Sequence, residues 1–307
     1  MSLYRPNPPP ARAGVGPSCV VLPPGPWTSM CEGLAARFPG VPEAVWLQRM
    51  HNGDVMDDQG QVIAPDTAYE AGRRLYYFRA LVAEPRIPFG AVILWQDEHL
   101  LVVDKPHFLP VVPSGKYLQE TLLIRLKNAL GLEALSPIHR IDRDTAGLVL
   151  FSRQVHSRGA YQELFRTRTV DKTYECIAPW LPHLEWPIDR ESRIEPGMHF
   201  MQQTEVPGVP NARTHITPLE VQGNLARYAL KPITGKRHQL RVHMAALGLP
   251  IVGDGIYPTL TPEGSLDYSR PLQLLARHIA FIDPLTHQSR AFASQRTLHP
   301  LPPANNS

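Results

Sequence analysis

The chain has 307 residues, which is long enough for one large domain or for a domain with a smaller module. Its formal net charge is +3, from 31 Lys and Arg residues against 28 Asp and Glu residues, which permits binding to nucleic acid without requiring it. The three cysteines lie far apart, the N-terminus lacks the pattern of a secretory signal, and no apolar run approaches the length of a membrane span. These features exclude a disulfide-rich secreted protein and a membrane protein, and we expect a soluble cytoplasmic one.

The first part of the chain is predicted to form an arm followed by a small module. Eight prolines fall within residues 1–27, and such a segment favours extended structure but lacks the N–H donors of a strand ladder. Apolar residues at helical spacing then predict a helix that ends at Pro39-Gly40, and a second helix over about residues 42–51. Short strand-like pieces complete the segment. We therefore expect a Pro-rich arm over residues 1–27 and a compact module over residues 28–84.

The rest of the chain, residues 85–307, is predicted to be a linker and a larger domain rich in strands. Residues 121–130 have the amphipathic pattern of a helix with Gly131 as its stop, and a further helix is expected over about residues 236–247. Strands outnumber helices and are joined irregularly, which is typical of an α+β fold with a largely antiparallel, mixed β-sheet flanked by helices. The predicted strands are 92–95, 99–103, 147–152, 173–178, 225–232, 272–275 and 278–281.

A cluster of charges stands directly before the predicted strand at 147–152. Its sequence is His139-Arg140-Ile141-Asp142-Arg143-Asp144. Because the burial of an unpaired charge costs several kcal/mol, these groups must be paired or must face a ligand. A carboxylate beside arginines is suited to chemistry on an anionic polymer. The alternatives are an aspartate that caps a helix or pairs with a neighbouring arginine, and a kinase-like catalytic loop. The kinase alternative fails because no Gly-rich phosphate loop precedes the cluster and no Asp-Phe-Gly follows it.

Basic residues open the predicted helix in the last third of the chain. Lys236 and Arg237 fall in its expected first turn, where cations oppose the helix dipole. Because free backbone N–H groups are also expected there, the segment is suited to bind phosphate. A solvated basic helix is the alternative. A zinc site at His238 and His243 is disfavoured, since the five-residue spacing splays the two side chains and no carboxylate or cysteine ligand accompanies them.

Several short segments, in a fixed order along the chain, carry a family resemblance. They are Val103-Asp104-Lys105-Pro106; His139-Arg140-Ile141-Asp142 with Thr145 and Gly147; Lys172-Thr173-Tyr174; Gly235 with His238-Gln239-Leu240-Arg241 and His243; Gly248, Pro250, Gly253-Asp254 and Tyr257; and Leu274-Leu275-Ala276 with Phe281 and Pro284. Over about residues 90–296 the chain thereby resembles the RluA-type family of RNA pseudouridine synthases. It departs mildly from the family pattern at Ile141, Ala146 and Pro258, and none of these departures touches a charged group.

The resemblance implies a pseudouridine synthase fold and an isomerase that converts specific uridines of structured rRNA or tRNA to pseudouridine. This RNA modification, a step of rRNA or tRNA processing, is expected to need no metal and no cofactor. The resemblance further implies three catalytic residues: Asp142 as the catalytic aspartate, Arg241 as its ion-pair partner, and Tyr174, which lies against the extruded uracil and assists removal of the C5 proton. Asp144 and Arg143 are then expected to be surface or turn residues. The expected RNA-binding residues are His139, Arg140, Lys172, Lys236, Arg237 and His238.

Residues 28–84 resemble a diverged copy of a small two-helix RNA-binding module first seen in a small-subunit ribosomal protein. Gly53-Asp54-Val55 and residues 71–75 match its turn and its closing strand. Only Arg37 and Arg49 supply arginine charge on the predicted helices, so the alternative is a structural cap that has lost RNA binding. We expect the whole chain to act as a monomer on structured RNA, with no membrane partner and no DNA.

Two other classes of protein remain open from the residues alone. A non-catalytic RNA-binding protein or RNA chaperone would use the arm, the module and the basic helix for contact only, and Asp142→Asn would then leave its cellular role intact. A hydrolase that exploits the histidines would depend on a metal ion and would be inhibited by chelators.

Overall fold

A computed structural model describes residues 8–79, 84–261 and 267–301. Residues 1–7 of the predicted arm and residues 80–83 of the predicted module lie outside the described residues. The helices are α1 (Met30–Arg37), α2 (Glu43–His51), α3 (Leu122–Leu130), α4 (Arg158–Arg166) and α5 (Gln239–Ala246). The strands are β1 (Ser18–Val21), β2 (Val55–Asp57), β3 (Arg74–Tyr77), β4 (Val92–Gln96), β5 (Leu100–Lys105), β6 (Ser136–Pro137), β7 (Ala146–Ser152), β8 (Asp171–Pro179), β9 (Ile188–Pro196), β10 (Gln203–Val206), β11 (Ala212–Gln222), β12 (Leu225–Pro232), β13 (Leu274–Ile282) and β14 (Ser289–Ala293). Within the described ranges, none of the helices has both the length and the apolar character needed to cross a membrane.

The N-terminal part of the chain folds as two helices against a three-stranded antiparallel sheet of order β1-β3-β2. Ser29 caps α1 by accepting a hydrogen bond from the backbone N–H of Glu32, and the Glu32 carboxylate accepts one in return from the N–H of Thr28. Both predicted helices are present at the predicted places. The core that joins them to the sheet includes the buried side chains Met30, Leu34, Trp46, Met50, Val55 and Leu75.

One strand of this small sheet comes from the predicted arm. Ser18–Val21 forms β1 and pairs with β3 in antiparallel register, with Val20 opposite Leu75. The prediction that residues 1–27 stay outside the folded unit is therefore wrong for this strand. The prolines flank the strand and do not interrupt it, so its backbone N–H groups remain available for the ladder. The division of the chain into an arm, a module and a larger domain otherwise stays a prediction.

The larger part of the chain is built on one eleven-stranded sheet. Nine strands follow the order β10-β9-β11-β12-β8-β13-β7-β5-β4, while β14 pairs with β13 and β6 pairs with β7. Every described pairing in this sheet is antiparallel except that of β13 with β7. Helix α5 packs on the sheet through Leu240 and Met244, and α3 packs through Leu122 and Leu126. The predicted α+β class with a largely antiparallel, mixed sheet is confirmed.

Two elements differ from their predictions for local reasons. The two predicted strand pieces between residues 272 and 281 form the single strand β13, which carries a bulge between Ala276 and His278. Helix α5 begins at Gln239, because the Gln239 carboxamide oxygen accepts a hydrogen bond from the backbone N–H of Lys236 and holds the preceding turn outside the helix. Lys236 and Arg237 therefore do not occupy a helical turn, and the predicted phosphate site at that turn loses its geometric basis.

The single parallel pairing, β7 with β13, is a seam that joins the two halves of the sheet. Ala276 of β13 lies opposite Gly147 of β7 on one side and opposite Tyr174 of β8 on the other. Gly147 has φ +107°, and a Cβ atom there would lie 2.3 Å from the carbonyl oxygen of Ala276. Glycine is required at this position because the backbone conformation and the close approach both exclude a side chain. The seam brings the loop before β7 next to Tyr174.

Helix α5 is attached to the sheet by polar contacts as well as by its apolar face. The buried imidazole of His243 contacts Thr214 Oγ1 through Nδ1 at 2.9 Å and Ser192 Oγ through Nε2 at 3.0 Å. Burial lowers the pKa of His243 from an ordinary 6.5 to about 4. The folded protein therefore holds this side chain neutral over a pH range in which the unfolded chain is protonated there.

Because the unfolded state binds the additional proton, we expect the free energy of unfolding to fall as the pH is lowered from 6.5 towards 4. The expected contribution of this one group is up to about 1.4 kcal/mol per pH unit. In His243→Asn the slope should be shallower, and in His51→Asn, which alters an exposed histidine of α2, it should be unchanged. Urea unfolding at a series of pH values measures these slopes. Equal slopes for wild type and His243→Asn would contradict the assignment.

Candidate active site

The loop that carries Asp142 runs over residues 139–145 and leads into β7. Its backbone is held by Lys105, the last residue of β5, whose side chain is completely buried. Lys105 Nζ donates hydrogen bonds to three carbonyl oxygens at 2.8–2.9 Å, one of which is that of Arg143. Burial lowers the pKa of Lys105 to about 7, against the opposing effect of Asp144 and Asp142. The contact with the Arg143 carbonyl fixes the backbone directly beside Asp142.

Asp142 forms an ion pair with Arg241 of α5, a residue 99 positions later in the chain. Arg241 Nη1 lies 3.3 Å from Asp142 Oδ2, while Arg241 Nε and Nη2 form a bidentate pair with Asp254 at 2.8 and 2.6 Å. Asp254 Oδ1 also accepts hydrogen bonds from two backbone N–H groups, which holds that carboxylate in place. The side chains of Arg241 and Asp254 are 2% and 1% exposed, whereas that of Asp142 is 27% exposed. Asp142 is therefore the partner of Arg241 that remains open to a substrate.

The charges around this ion pair balance one another. Three carboxylates and three basic side chains meet within the loop and its surroundings, namely Asp142, Asp144 and Asp254 with Arg241, Arg143 and Lys105. Burial disfavours the charge on Arg241, but the hydrogen bonds and charge of Asp254, together with the charge of Asp142, outweigh it and raise the pKa of Arg241. Arg241 is therefore always charged.

His238 and Tyr257 form the wall of the site on the side of α5. His238 Nε2 lies 3.8 Å from Asp142 Oδ1, and His238 Nδ1 lies 3.0 Å from the Tyr257 hydroxyl oxygen. That hydroxyl oxygen also accepts a hydrogen bond from the backbone N–H of Gln203 at 2.7 Å. Burial lowers the pKa of His238 and outweighs the attraction of Asp142. If Tyr257 donates to Nδ1, the neutral imidazole carries its proton on Nε2, on the side that faces Asp142.

Tyr174 lies on β8, one strand beyond the seam from the loop that carries Asp142. Its ring is partly buried against the apolar cluster that includes Leu240 and Met244. Burial and the negative charge of Asp142 both raise the pKa of Tyr174, so its hydroxyl is protonated at neutral pH. The ring therefore offers a flat, uncharged surface beside the exposed carboxylate.

Arg143 and Asp144 lie in a bend of the loop, as predicted for turn residues, and they also pair with each other. Arg143 Nε lies 2.8 Å from Asp144 Oδ1, and the Asp144 side chain is only 19% exposed. Burial raises the pKa of Asp144, but the charge of Arg143 outweighs that effect and lowers it overall. The Asp144 carbonyl also contacts His107 Nδ1 at 2.7 Å. The pair is therefore a structural part of the loop, in which the partly exposed Arg143 guanidinium neutralises the less exposed Asp144 carboxylate.

Some of the predicted RNA-binding residues face solvent, and others are engaged in contacts within the protein. Arg140 and Lys236 are exposed, and Lys172 is partly buried at the start of β8. The Arg237 guanidinium donates to the carbonyl oxygens of Phe200 and Met201 at 3.0 and 3.3 Å, so it holds the β9–β10 turn. His238 lies in the site beside Asp142, as described above.

His139 has a different role from the one predicted. Its Nε2 accepts a hydrogen bond from the backbone N–H of Leu150, and its ring stacks on Phe165 at 4.6 Å between centroids. Burial lowers its pKa to about 3, so the side chain is neutral. His139 therefore secures the start of the loop to β7 and α4.

Two residues of the site have roles that the sequence analysis did not assign. Asp254 and Lys105 both fall within segments that carried the family resemblance, but nothing in their spacing predicts burial or a partner. Among the described residues, no three His, Cys, Asp or Glu side chains form a group that could hold a metal ion. The prediction that the reaction needs no metal and no cofactor stays a prediction.

Comparison with known proteins identifies the family. The family model described as RNA pseudouridylate synthase matches residues 99–246. An uncharacterized RNA pseudouridine synthase of Synechocystis is 30% identical over 237 residues, which cover 74% of this chain and 79% of the relative. The dual-specificity RNA pseudouridine synthase RluA of Pasteurella multocida is 32% identical over 212 residues, which cover 66% of this chain and 91% of the relative. The solved structure of human RNA pseudouridylate synthase domain containing 1 has a similar fold, with a TM-score of 0.56 at 22% identity over 70% of this chain and 86% of that chain.

The fold and these similarities define an isomerase that acts on uridine in RNA. The chain belongs to the RluA-type family of RNA pseudouridine synthases. The predicted family, fold class and type of reaction are confirmed. The similarities do not assign roles to individual side chains, and those roles stay predictions.

Proposed function

We propose that this chain isomerises specific uridines in structured RNA, either rRNA or tRNA, with Asp142 as the catalytic aspartate. In the reaction the C1′–N1 bond breaks, the detached uracil turns, and C1′ joins C5, which loses its proton while N1 gains one. The observation that carries the proposal is the unequal burial of the two carboxylates that Arg241 binds, since Asp254 is enclosed and Asp142 is 27% exposed. A carboxylate that is both held in place and accessible is suited to act as a nucleophile or base.

The neighbouring side chains have complementary roles in this proposal. Arg241 orients Asp142 through the contact at 3.3 Å. Tyr174 provides the surface against which the uracil lies after it leaves its stack, a step that costs a few kcal/mol. Its raised pKa makes a phenolate unfavourable, which supports a role for the ring as a contact surface. Exposed Arg140 braces the space that the base leaves, and exposed Lys236 contacts a phosphate through its side-chain charge alone, without the helical turn predicted from the sequence.

The N-terminal module is proposed to act as a structural cap and not as an RNA-binding unit. Arg12 pairs with Asp54, and Arg73 pairs with Asp57, so these two guanidinium groups are engaged within the module. Arg49 lies 4.8 Å from the ring centroid of Trp46, and burial lowers its pKa. Arg37 is the arginine of the two helices that is left exposed. One exposed arginine is a weak basis for binding a polyanion.

The proposal is tested by release of tritium from total RNA that is labelled at uracil C5 and isolated from a strain lacking the gene. We expect the purified protein to release tritium with a chelator present, because the proposed chemistry uses no metal ion. Failure to release tritium from this RNA would contradict the proposed function, whereas dependence on a metal would favour the hydrolase alternative. Mapping the pseudouridine that disappears in the strain identifies the target as rRNA or tRNA.

We further propose that the protein works as a cytoplasmic monomer and does not act on DNA.

Asp254→Asn is expected to lower kcat by about 10- to 100-fold, because the bidentate contact that orients Arg241 is weakened and the Asp142 carboxylate shifts with it. KM should be unchanged, since Asp254 is buried and does not face the RNA. Tritium release at a series of RNA concentrations separates the two constants. A raised KM with wild-type kcat would show that Asp254 does not act through Asp142.

A further inference from the structure

A small cationic cavity lies beside the loop that carries Asp142. It encloses about 110 Å³ between the end of α4 and the adjoining ends of β8 and β12. Three basic residues line it, namely Arg168, Lys172 and Lys231, together with the apolar walls Phe165 and Ile233. The chain has few lysines outside this region, and two of them meet here. The volume suits a group of a few heavy atoms.

Two cations of this cavity, partly buried Lys172 and exposed Arg168, have no anionic partner among the described residues. Among the described residues, neither Lys172 Nζ nor the Arg168 guanidinium makes a hydrogen bond or an ion pair. Burial and the positive charge of Arg168 lower the pKa of Lys172, which indicates that the two groups are close enough to repel each other. Asp171 also lines the cavity but forms no ion pair with either of them. Lys172 Nζ lies 6.0 Å from the centroid of the Phe165 ring, so an anion bound between Lys172 and Arg168 would add the counter-charge that this ring contact does not supply.

The backbone places Arg168 at the cavity at some conformational cost. Arg168 follows the C-terminal end of α4 and has φ +59°, a left-handed conformation that residues other than glycine seldom adopt. The conformation turns the chain from α4 into β8, so that Arg168 and Lys172 line the same space. The same conformation ends α4, where the backbone N–H of Thr169 donates a hydrogen bond to the carbonyl oxygen of Leu164.

The cavity adjoins the place where the target base would lie. Lys172 and Tyr174 are two residues apart in β8, so their side chains project from the same face of the strand. Phe165 lines the cavity and stacks on His139, the first residue of the loop that carries Asp142. A nucleotide strand that presents its uracil to Asp142 and Tyr174 would therefore carry its backbone past Lys172 and Arg168.

We propose that this cavity binds one phosphodiester group of the RNA strand next to the target uridine. The inference rests on the proposed function and names a subsite of it. An extruded nucleotide requires the flanking backbone to be held in a distorted path, and a phosphate bound by two cations at a fixed distance from Tyr174 provides that hold. The phosphate also supplies the anion that Lys172 and Arg168 lack.

The test compares Arg168→Gln with Arg166→Gln, a matched control two residues earlier that removes the same charge from outside the cavity, where Arg166 pairs with Glu163. Binding of a fluorescein-labelled oligouridylate is measured by anisotropy at a series of sodium chloride concentrations. We expect Arg168→Gln to bind about tenfold more weakly. The slope of log K against log salt should fall by about 0.7 in magnitude, the value for one phosphate contact on a single strand. Lys172→Met should have the same effect, and Arg166→Gln should match wild type.

Kinetic constants and competition by inorganic phosphate distinguish the cavity from other sites of RNA contact. In tritium release, Arg168→Gln and Lys172→Met should raise KM and leave kcat unchanged, because a phosphate contact acts in binding. Salt slopes equal to that of Arg166→Gln would overturn the proposal, even if the wild type is an active synthase. Absence of tritium release by the wild type would overturn the proposed function instead, while a changed slope would still identify an anion site. If inorganic phosphate at constant ionic strength displaced the RNA from wild type and Arg168→Gln equally, the cavity would not be the site of the phosphate contact.

Discussion

Replacement of Asp142 by asparagine is expected to abolish tritium release, with kcat lowered by at least about 1,000-fold. The amide keeps the shape of the side chain and can still accept a hydrogen bond from Arg241, so the fold should remain intact. It removes the negative charge on which attack or proton removal depends. The measurement is single-turnover tritium release from uracil-labelled RNA, accompanied by urea unfolding to check stability.

Asp189→Asn is a suitable control for this experiment, because Asp189 is a half-exposed carboxylate on β9 that contacts His215 outside the site. We expect wild-type activity in the control. If Asp142→Asn retained activity within a factor of a few, the catalytic aspartate would have to lie elsewhere. Loss of activity with RNA binding unchanged would also separate an enzyme from a non-catalytic RNA-binding protein.

Gly147→Ala is expected to have the largest effect on stability, because the added methyl group would meet the backbone of Ala276 on the adjacent strand. The new Cβ would lie 2.3 Å from the Ala276 carbonyl oxygen and 2.7 Å from its nitrogen, and φ +107° is unfavourable for alanine in itself. Overpacking and backbone strain together should lower the free energy of unfolding by about 4 kcal/mol. Urea unfolding of the variant measures the loss.

The matched control is Gly159→Ala, at an exposed position in α4 where a Cβ atom would meet nothing within 4 Å. There the same substitution should stabilise the protein by about 0.5–1 kcal/mol, because alanine favours the helix. Equal unfolding midpoints for the two variants would mean that the seam can separate at little cost.

Helices with recognisable capping residues could be predicted from the sequence, whereas strands made largely of polar residues could not. Helix α3 has the capping residue Thr121 at one end and Gly131 in a left-handed conformation at the other. Threonine and glycine are common at these two positions, so the residue types indicate the ends of the helix. Strand β9 carries charged side chains at most positions, so it has no apolar alternation to indicate a strand. The parallel pairing of β7 with β13 joins distant parts of the chain, and no local pattern encodes it.

The candidate site was predictable in its residue types but not in its contacts. The pairing of Asp142 with Arg241 followed from the family resemblance, and the two side chains do meet in the structure. The ion pair between Arg143 and Asp144 was not predicted, because the adjacent positions of two opposite charges do not by themselves show that the side chains meet. The anchoring role of Asp254 depends on tertiary structure, since one guanidinium group, that of Arg241, contacts both Asp254 and Asp142.

The seam between β7 and β13 and the ion pair of Asp142 both join parts of the chain that are synthesised far apart in time. Asp142 emerges from the ribosome 99 residues before Arg241, and β13 follows later still. A nascent chain that has completed β7 therefore carries the carboxylate without the cation that orients it and without the strand that closes the sheet.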